Sequence, residues 1–339
     1  MTLRPTAVFD TFLKFAVERQ EAFLRKAAGV LPLTNNPILS NWKFTCPFRA
    51  ADRTSQYLIQ RVIYDGDPTP TEVVFRTILF KLFNWIGTWE LLCDAFGEVR
   101  YTDFSVERYG RVLDDAKRRG KQLYTAAYRM GMTQGPRHQL HLQVLDSMMR
   151  NRLPERLQEQ KTMAAAYRLL RAYPKVGDFI GYQLVTDLNY SNVLDFSEME
   201  FVVPGPGALS GLEKCFGGTA RGHEVAAIRW IAERQDQLFA SRGLRFKSLW
   251  GRKLQLIDVQ NLFCEVNKYA RLAHPEIPGT DKQTKMKQRY RPDPDPLVYW
   301  FPPKWGINAA VERSYQQLQQ RRRTTRASVT ATDEHPCQD

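Results

Sequence analysis

Histidine and cysteine are scarce in this chain, five of each in 339 residues, and their spacing excludes several kinds of chemistry. Cys46, Cys93, Cys215, Cys264 and Cys337 stand far apart, with no C-x-x-C pair and an odd total; this argues against a disulfide scaffold and fits reduced thiols in a cytosolic interior. His138, His141, His223, His274 and His335 have no metal-ligand spacing to cysteine or carboxylate partners, so no metal and no other cofactor is expected, and His138 with His141 reads as a polar helix face. The chain also lacks an apolar run of about 18 residues able to span a bilayer, a basic amphipathic surface helix, and a secretory signal at its amino terminus. A G-x-x-x-x-G-K-[ST] phosphate loop is missing as well, so these residues do not supply a P-loop kinase domain. The expectation is a cytoplasmic or nuclear protein without a membrane partner.

What is present is a globular composition with an excess of positive charge. Hydrophobic residues make up 43% and aromatic residues 12%, enough to offset the entropy of ordering most of a chain of this length. Lys and Arg number 49 against 36 Asp and Glu, a formal net charge of +13, which attracts polyanions; nucleic acid leads among them.

Hydrophobic periodicity predicts a mostly α protein. Helices are expected over about 5–27, 55–64 with Asp52 as cap, 72–85 and 88–95 divided at Gly87, 105–118, 120–130 bearing Tyr124 and Tyr128, a further helix through Leu140 to Met148, then up to 171, 221–240 and 257–271. The expected organisation is a two-lobed helical body over 1–275, a proline-rich extension over 276–310 whose WFPPKWG segment docks on the body, and a basic, polar, disordered tail over 311–339. Glu200 to Val203 is the one stretch with β alternation.

The segment AAAYRLLRAYPKVGDFIGYQLVTDL stands out. Two apolar helical patterns meet at Pro174, Lys175, Val176 and Gly177, and a turn that opens a helix exposes amide donors able to accept a phosphate, with Lys175 adding an ionic contact. An ordinary helix–helix connection explains the same residues. Pro204 to Ala208 is a second such turn, in which Gly205 and Gly207 either cradle phosphate or simply start a helix.

The Pro174 to Gly177 turn resembles the hairpin of helix-hairpin-helix DNA glycosylases, spanning about 161–189, although Lys175 stands where that superfamily has its first glycine. More widely, FRAADRTSQYLIQRVIY, LFKLFNWIGTWELL, PKVGDFIGYQLVTDLNY, EFVVPGPGALSGLEKCF and FCEVNKYARL are together similar to glycosylase-like proteins of thymine hypermodification. These include the 5-hmdU DNA kinase helical domain and the alpha-glutamyl/putrescinyl thymine pyrophosphorylases, or amino acid:DNA transferases. The resemblance implies double-stranded DNA with a modified thymine or uracil as substrate and an amino acid or polyamine as amine donor. The reaction it implies is displacement of pyrophosphate from a pyrophosphorylated 5-hydroxymethyl-uracil. A 5-hydroxymethyl-uracil DNA kinase is an expected partner. Two other functions stay open: a DNA glycosylase acting on a modified base, and a noncatalytic DNA-binding module.

Within that reading, Arg49 and Arg53 are candidates to stabilise the departing pyrophosphate, since an arginine fork suits phosphate oxygens, or they are surface ion pairs. Asp195 is the preferred carboxylate by its approximate match to the superfamily's aspartate beyond the hairpin, with Glu198 and Glu200 as alternatives; the plainer reading of each is a solvated loop acid. Gln56 and Tyr57 contact a base edge or belong to the core. Glu265 and Lys268, three apart on one helix, line a pocket or form a stabilising pair.

Overall fold

The structure, a computed structural model, describes residues 2–125, 136–281, 283–292, 297–318 and 320. Tyr128, Pro294, Pro296, His335, Cys337 and most of the expected tail lie outside the described residues. Among those described there is no β-strand, only two isolated bridges, Trp42 with Arg289 and Leu249 with Arg252; Glu200 to Val203 forms none. No described helix is long and apolar enough to cross a membrane.

The body of the described fold is built from α1 Ala7–Ala27, α2 Pro37–Asn41, α3 Arg53–Tyr57, α4 Pro70–Phe83, α5 Ile86–Phe96, α6 Val106–Arg118, α7 Arg137–Arg150, α8 Leu153–Gln158, α9 Met163–Arg171, α10 Asp178–Leu188, α11 Pro206–Phe216, α12 Glu224–Ala240 and α13 Leu256–Ala273. α1 starts where the Thr6 hydroxyl accepts from the Val8 amide, and Val8, Phe9, Phe12, Leu13, Phe15, Ala16 and Phe23 are buried along its inner stripe, the spacing that makes a helix amphipathic. α4 is buried almost all round. It ends at Asn84, whose left-handed backbone (φ 49°) stops the helix, so the break from α5 falls at Asn84–Trp85 and not at Gly87, which lies inside α5. Asparagine tolerates that conformation better than other residues with a Cβ.

Several other expectations change. The helix expected over 55–64 is α3 running into a π-helical turn, Leu58–Ile63. His138 and His141 are buried: His138 meets Asp114 at 2.7 Å, and His141 sits edge-on between Phe83 and Tyr124. They belong to the interior and not to a polar face, because α7 packs against both α4 and α6. Residues 120–125 are not helical. At the other end a helix over 308–318, α14, extends into the stretch expected to be a mobile tail. Ile307, Val311 and Tyr315, spaced four apart, bring it against the body, with Val311 2% exposed.

The 297–318 segment is fastened at several points. The Trp300 amide donates to Gln56 Oε1 at 3.0 Å, Lys304 Nζ donates to the carbonyls of Ser191 and Leu194, and Ser314 accepts from Trp250 Nε1 at 2.8 Å. At the centre, α11 and α13 cross with almost no separation: a Cβ on Gly211 would lie 2.1 Å from the Phe263 carbonyl oxygen, so only glycine fits there.

Candidate nucleotide site

A cavity of about 980 Å³ opens between residues 43–58, α4, α10, α13 and the 283–288 segment. Its charged lining is Lys43, Arg49, Arg53, Lys81, Lys268, Arg271 and Lys287 against Asp52 and Glu265, seven cations to two acids. Phe44, Phe80 and Phe179 supply apolar wall, Phe179 being the most exposed of the three, which suits a purine or pyrimidine ring.

The deepest polar feature is Arg49. Its 3-10 turn, Arg49–Ala51, is held from behind because the Arg49 amide donates to Asp258 Oδ1 at 2.8 Å. Asp258 also takes the Gln255 amide in the capping box that starts α13. The guanidinium donates to Gln183 Oε1 through Nε (3.0 Å) and Nη2 (2.8 Å), and to the Tyr190 hydroxyl at 3.0 Å. Nη1 lies 2.6 Å from Asp187 Oδ1, and Lys81 Nζ lies 2.8 Å from Asp187 Oδ2. One buried carboxylate therefore fixes two cations on the cavity wall. Burial alone would raise the Asp187 carboxyl, but Arg49 and Lys81 outweigh it and hold it below its ordinary value.

Phe179, Gln183 and Asp187 fall four residues apart on α10, one stripe facing Arg49 and the cavity. This helix begins at the Pro174 to Gly177 turn, with Gly177 two residues before Phe179. Pro174, Lys175 and Gly177 are exposed and Val176 is buried. Lys175 has φ 67°, the left-handed region that glycine enters freely, so the substitution noted in the sequence falls where the backbone asks for glycine. Gly177 precedes α10 without a side-chain cap. The first helical residue, Asp178, is held by Arg171 Nε at 2.6 Å and the Tyr167 hydroxyl at 3.1 Å.

Glu265 and Lys268 both line the cavity and pair at 2.6 Å, while Glu265 Oε2 accepts from the Thr45 amide at 3.0 Å. Arg53 lines it too. Asp52 stands at the N-cap position of α3 but makes no side-chain cap bond; its Oδ1 accepts instead from the Cys46 amide at 2.8 Å. Burial pushes the Asp52 carboxyl up to about 6, although the Cys46 amide bond and Arg19 oppose the rise. Asp258 is pushed up to about 7 by burial, against the bond from the Gln255 amide. Burial likewise pushes the Cys264 thiol up to about 12, which leaves it protonated and a poor nucleophile.

The acidic loop lies elsewhere. Asp195 is 88% exposed and faces Lys304 at 3.4 Å. Glu198 is buried and binds Arg252 at 2.6 Å, whose guanidinium stacks 3.8 Å from the Trp305 ring centre. Glu200 is exposed, its carbonyl accepting from Arg229. None of the three lines the cavity. Gln56 is fully buried, donating to the Ala50 carbonyl, and Tyr57 stacks on Phe80 with ring centres 5.9 Å apart. Gly205 and Gly207 sit behind the wall: a Cβ would come within 2.8 Å of the Phe179 ring at the first and 3.2 Å of Cys264 Sγ at the second. Their smallness lets the turn pack against the protein's own side chains.

Sequence reasoning brought Arg49, Arg53, Glu265 and Lys268 to the fore and passed over Lys81, Gln183 and Asp187. The signal was there. A lysine inside VVFRTILFKLF and an aspartate closing the apolar stripe of α10 are charges in helices buried nearly all round, and such charges need partners.

The family model described as 5-hmdU DNA kinase, helical domain, matches residues 6–279. The chain belongs to this family. The match takes in every element lining the cavity from residue 43 to α13 and ends before the 283–288 segment. The chain is also 23% identical over 316 residues to a protein named 5-hmdU DNA kinase from Bacillus phage SP10, covering 84% of this chain and 49% of that protein. The chain thus spans about half the length of this relative. No solved structure matches it.

Proposed function

We propose that this protein works in thymine hypermodification, taking a pyrophosphorylated 5-hydroxymethyl-uracil nucleotide from DNA into the cation-lined cavity and replacing pyrophosphate with an amine. The observation that carries the reading is the seven-to-two excess of cations over acids around a cavity that also offers three phenylalanine walls. A base modified at its exocyclic carbon leaves the stack to be reached. The aromatic wall accepts its ring, while Arg49 and Lys81, pre-set by Asp187, face the phosphates. In the transfer, the bond between methylene carbon and oxygen breaks, with its electron pair leaving on pyrophosphate. The amine lone pair forms the new C–N bond and the nitrogen gives up a proton. Fixed cations stabilise the charge gathering on the leaving group. Asp52, which lines the cavity with a carboxyl pushed up to about 6, takes the proton in this reading. In this reading the exposed turn before α10, flanked by Arg168, Arg171 and Lys175, holds the sugar–phosphate chain as a helix-hairpin-helix element.

The test is incubation of the protein with DNA carrying pyrophosphorylated 5-hydroxymethyl-uracil and an isotopically labelled amine, followed by nucleoside mass spectrometry. Labelled base with released pyrophosphate is the expected outcome. Free base with an abasic site would identify a glycosylase.

A second reading has its own support. The family is described as the helical domain of a kinase, the chain spans 49% of a kinase-named relative, and no phosphate loop occurs in its sequence. Here the cavity holds the 5-hydroxymethyl-uracil for a separate phosphate-transferring partner. Nucleotide binding without product in the same experiment supports it.

A further inference from the structure

The mouth of the cavity carries a feature that neither the hairpin nor the pocket chemistry uses. Residues 283–291 contain Lys285, Lys287, Arg289 and Arg291 and no acid. They are not helical, and they have almost no buried surface of their own, yet both ends are tied down. On one side Asp281 accepts from Asn267 Nδ2 at 2.7 Å and lies 3.1 Å from Arg271 Nη2, and Arg271 also donates to the Lys285 carbonyl. On the other side the Lys43 amide donates to the Gln288 carbonyl and the Tyr290 amide to the Asn41 carbonyl, closing the Trp42–Arg289 bridge. The Arg289 guanidinium lies 4.0 Å from the Trp42 ring centre.

We infer that this strap is the contact for the sugar–phosphate backbone of the DNA strand whose nucleotide enters the cavity. The inference rests on the nucleotide reading of the cavity and adds the surface that holds its flanking phosphates. A nucleotide turned out of a duplex stays joined to its strand on both sides, so the two neighbouring phosphates must stand at the mouth. The strap runs there, since Gln283, Met286, Lys287 and Gln288 line the cavity. Along an extended course every second side chain shares one side; Lys287, Arg289 and Arg291 stand two apart in sequence, so the extended pairing at the Arg289 bridge favours their lying on one side. Cations spread along a solvated loop would gain nothing from being tethered at both ends. A preordered strap loses less freedom on binding.

The experiment measures binding of a fluorescein-labelled duplex containing 5-hydroxymethyl-uracil over a range of salt concentrations, alongside binding of the mononucleoside 5-(phosphoryloxymethyl)-2′-deoxyuridine. For the triple variant Lys287→Gln, Arg289→Gln, Arg291→Gln, duplex affinity at 0.1 M salt is expected to fall roughly tenfold or more. The slope of log K against log salt is expected to drop by about 2 to 3, near 0.9 for each lost phosphate contact. Mononucleoside binding, read in Arg291→Gln because Lys287 itself lines the cavity, stays as in the parent protein. Because Arg289 packs on Trp42, the double variant Lys287→Gln, Arg291→Gln, which leaves that contact in place, repeats the test with an expected slope change of about 2. Parent-like duplex affinity and slope in the folded double variant, or a parent protein that does not bind the duplex at low salt, overturns the strap. Failure of the mononucleoside to bind the parent protein overturns the cavity reading instead.

Discussion

The cavity wall and the acidic loop after Tyr190 both carry carboxylates, and the two regions use them differently. In and directly behind the wall, Asp187, Asp258 and Glu265 come from helices, are buried, and each organises groups from another element: two cations, the Arg49 amide, and the Thr45 amide. In the loop, Asp195 and Glu198 face Lys304 and Arg252 and so fasten the 297–318 segment. A carboxylate's distance along the chain from a recognisable turn says little about its task. Whether it has lost its water and which cations replace that water decides it.

This contrast can be pressed hardest at Asp187. Replacing it by Ala leaves Arg49 and Lys81 buried without their shared counter-charge, and the cost expected from denaturant unfolding is about 3 to 5 kcal/mol. A loss below about 1 kcal/mol would show that water reaches the pair and that the wall is no more demanding than the loop.

The pH dependence sharpens the same point. Asp258 and Asp52 have folded-state values raised to about 7 and about 6. Their contribution to stability is therefore fully present below the unfolded carboxylate value near 4 and is lost as pH rises through those folded values. Asp187, held low, works in the opposite sense: its contribution is present above the ordinary carboxylate value and is lost as pH falls. Unfolding free energies measured from pH 4.5 to 7.5 should decline towards neutrality, and Asp258→Asn should flatten the decline between about pH 5 and 7.

Glu198→Ala is expected to cost about 1 to 3 kcal/mol, because Arg252 remains partly buried without its partner. The loss should vanish if the 297–318 segment is already detached, which limited proteolysis would reveal. Asp195→Asn, at an exposed ion pair, should change the thermal midpoint by no more than corresponds to about 0.5 kcal/mol. An effect of the size expected at Asp187 would break the contrast.

Much of the helical framework was legible because periodic apolar residues report a buried stripe directly. α1, α6, α12 and α13 start and stop within a few residues of the positions read from spacing alone. The interruption between α4 and α5 was assigned to Gly87 since glycine is the strongest local breaker, whereas Asn84 performs it by adopting the left-handed conformation. α14 escaped notice because its apolar residues are few and their neighbours are polar; Val311 gains its burial only from the body beneath it. The site was half legible. Arg49, Arg53, Glu265 and Lys268 stood out in polar surroundings, where charged residues invite a functional reading. Asp187, Lys81 and Gln183 hid within apolar helices, and the partnership of α4 with α10 is a tertiary fact that local spacing does not contain.

The crossing at Gly211 bears on all of these. With the Phe263 carbonyl so close to that one position, the two central helices behave as a single rigid plate: a methyl group added there has no side-chain hinge to absorb it and must wedge the plate open. The Gly205–Gly207 turn at one end of α11 and the Cys264–Lys268 stretch of α13 would separate together. A change of a few atoms would thus be felt as a misshapen cavity.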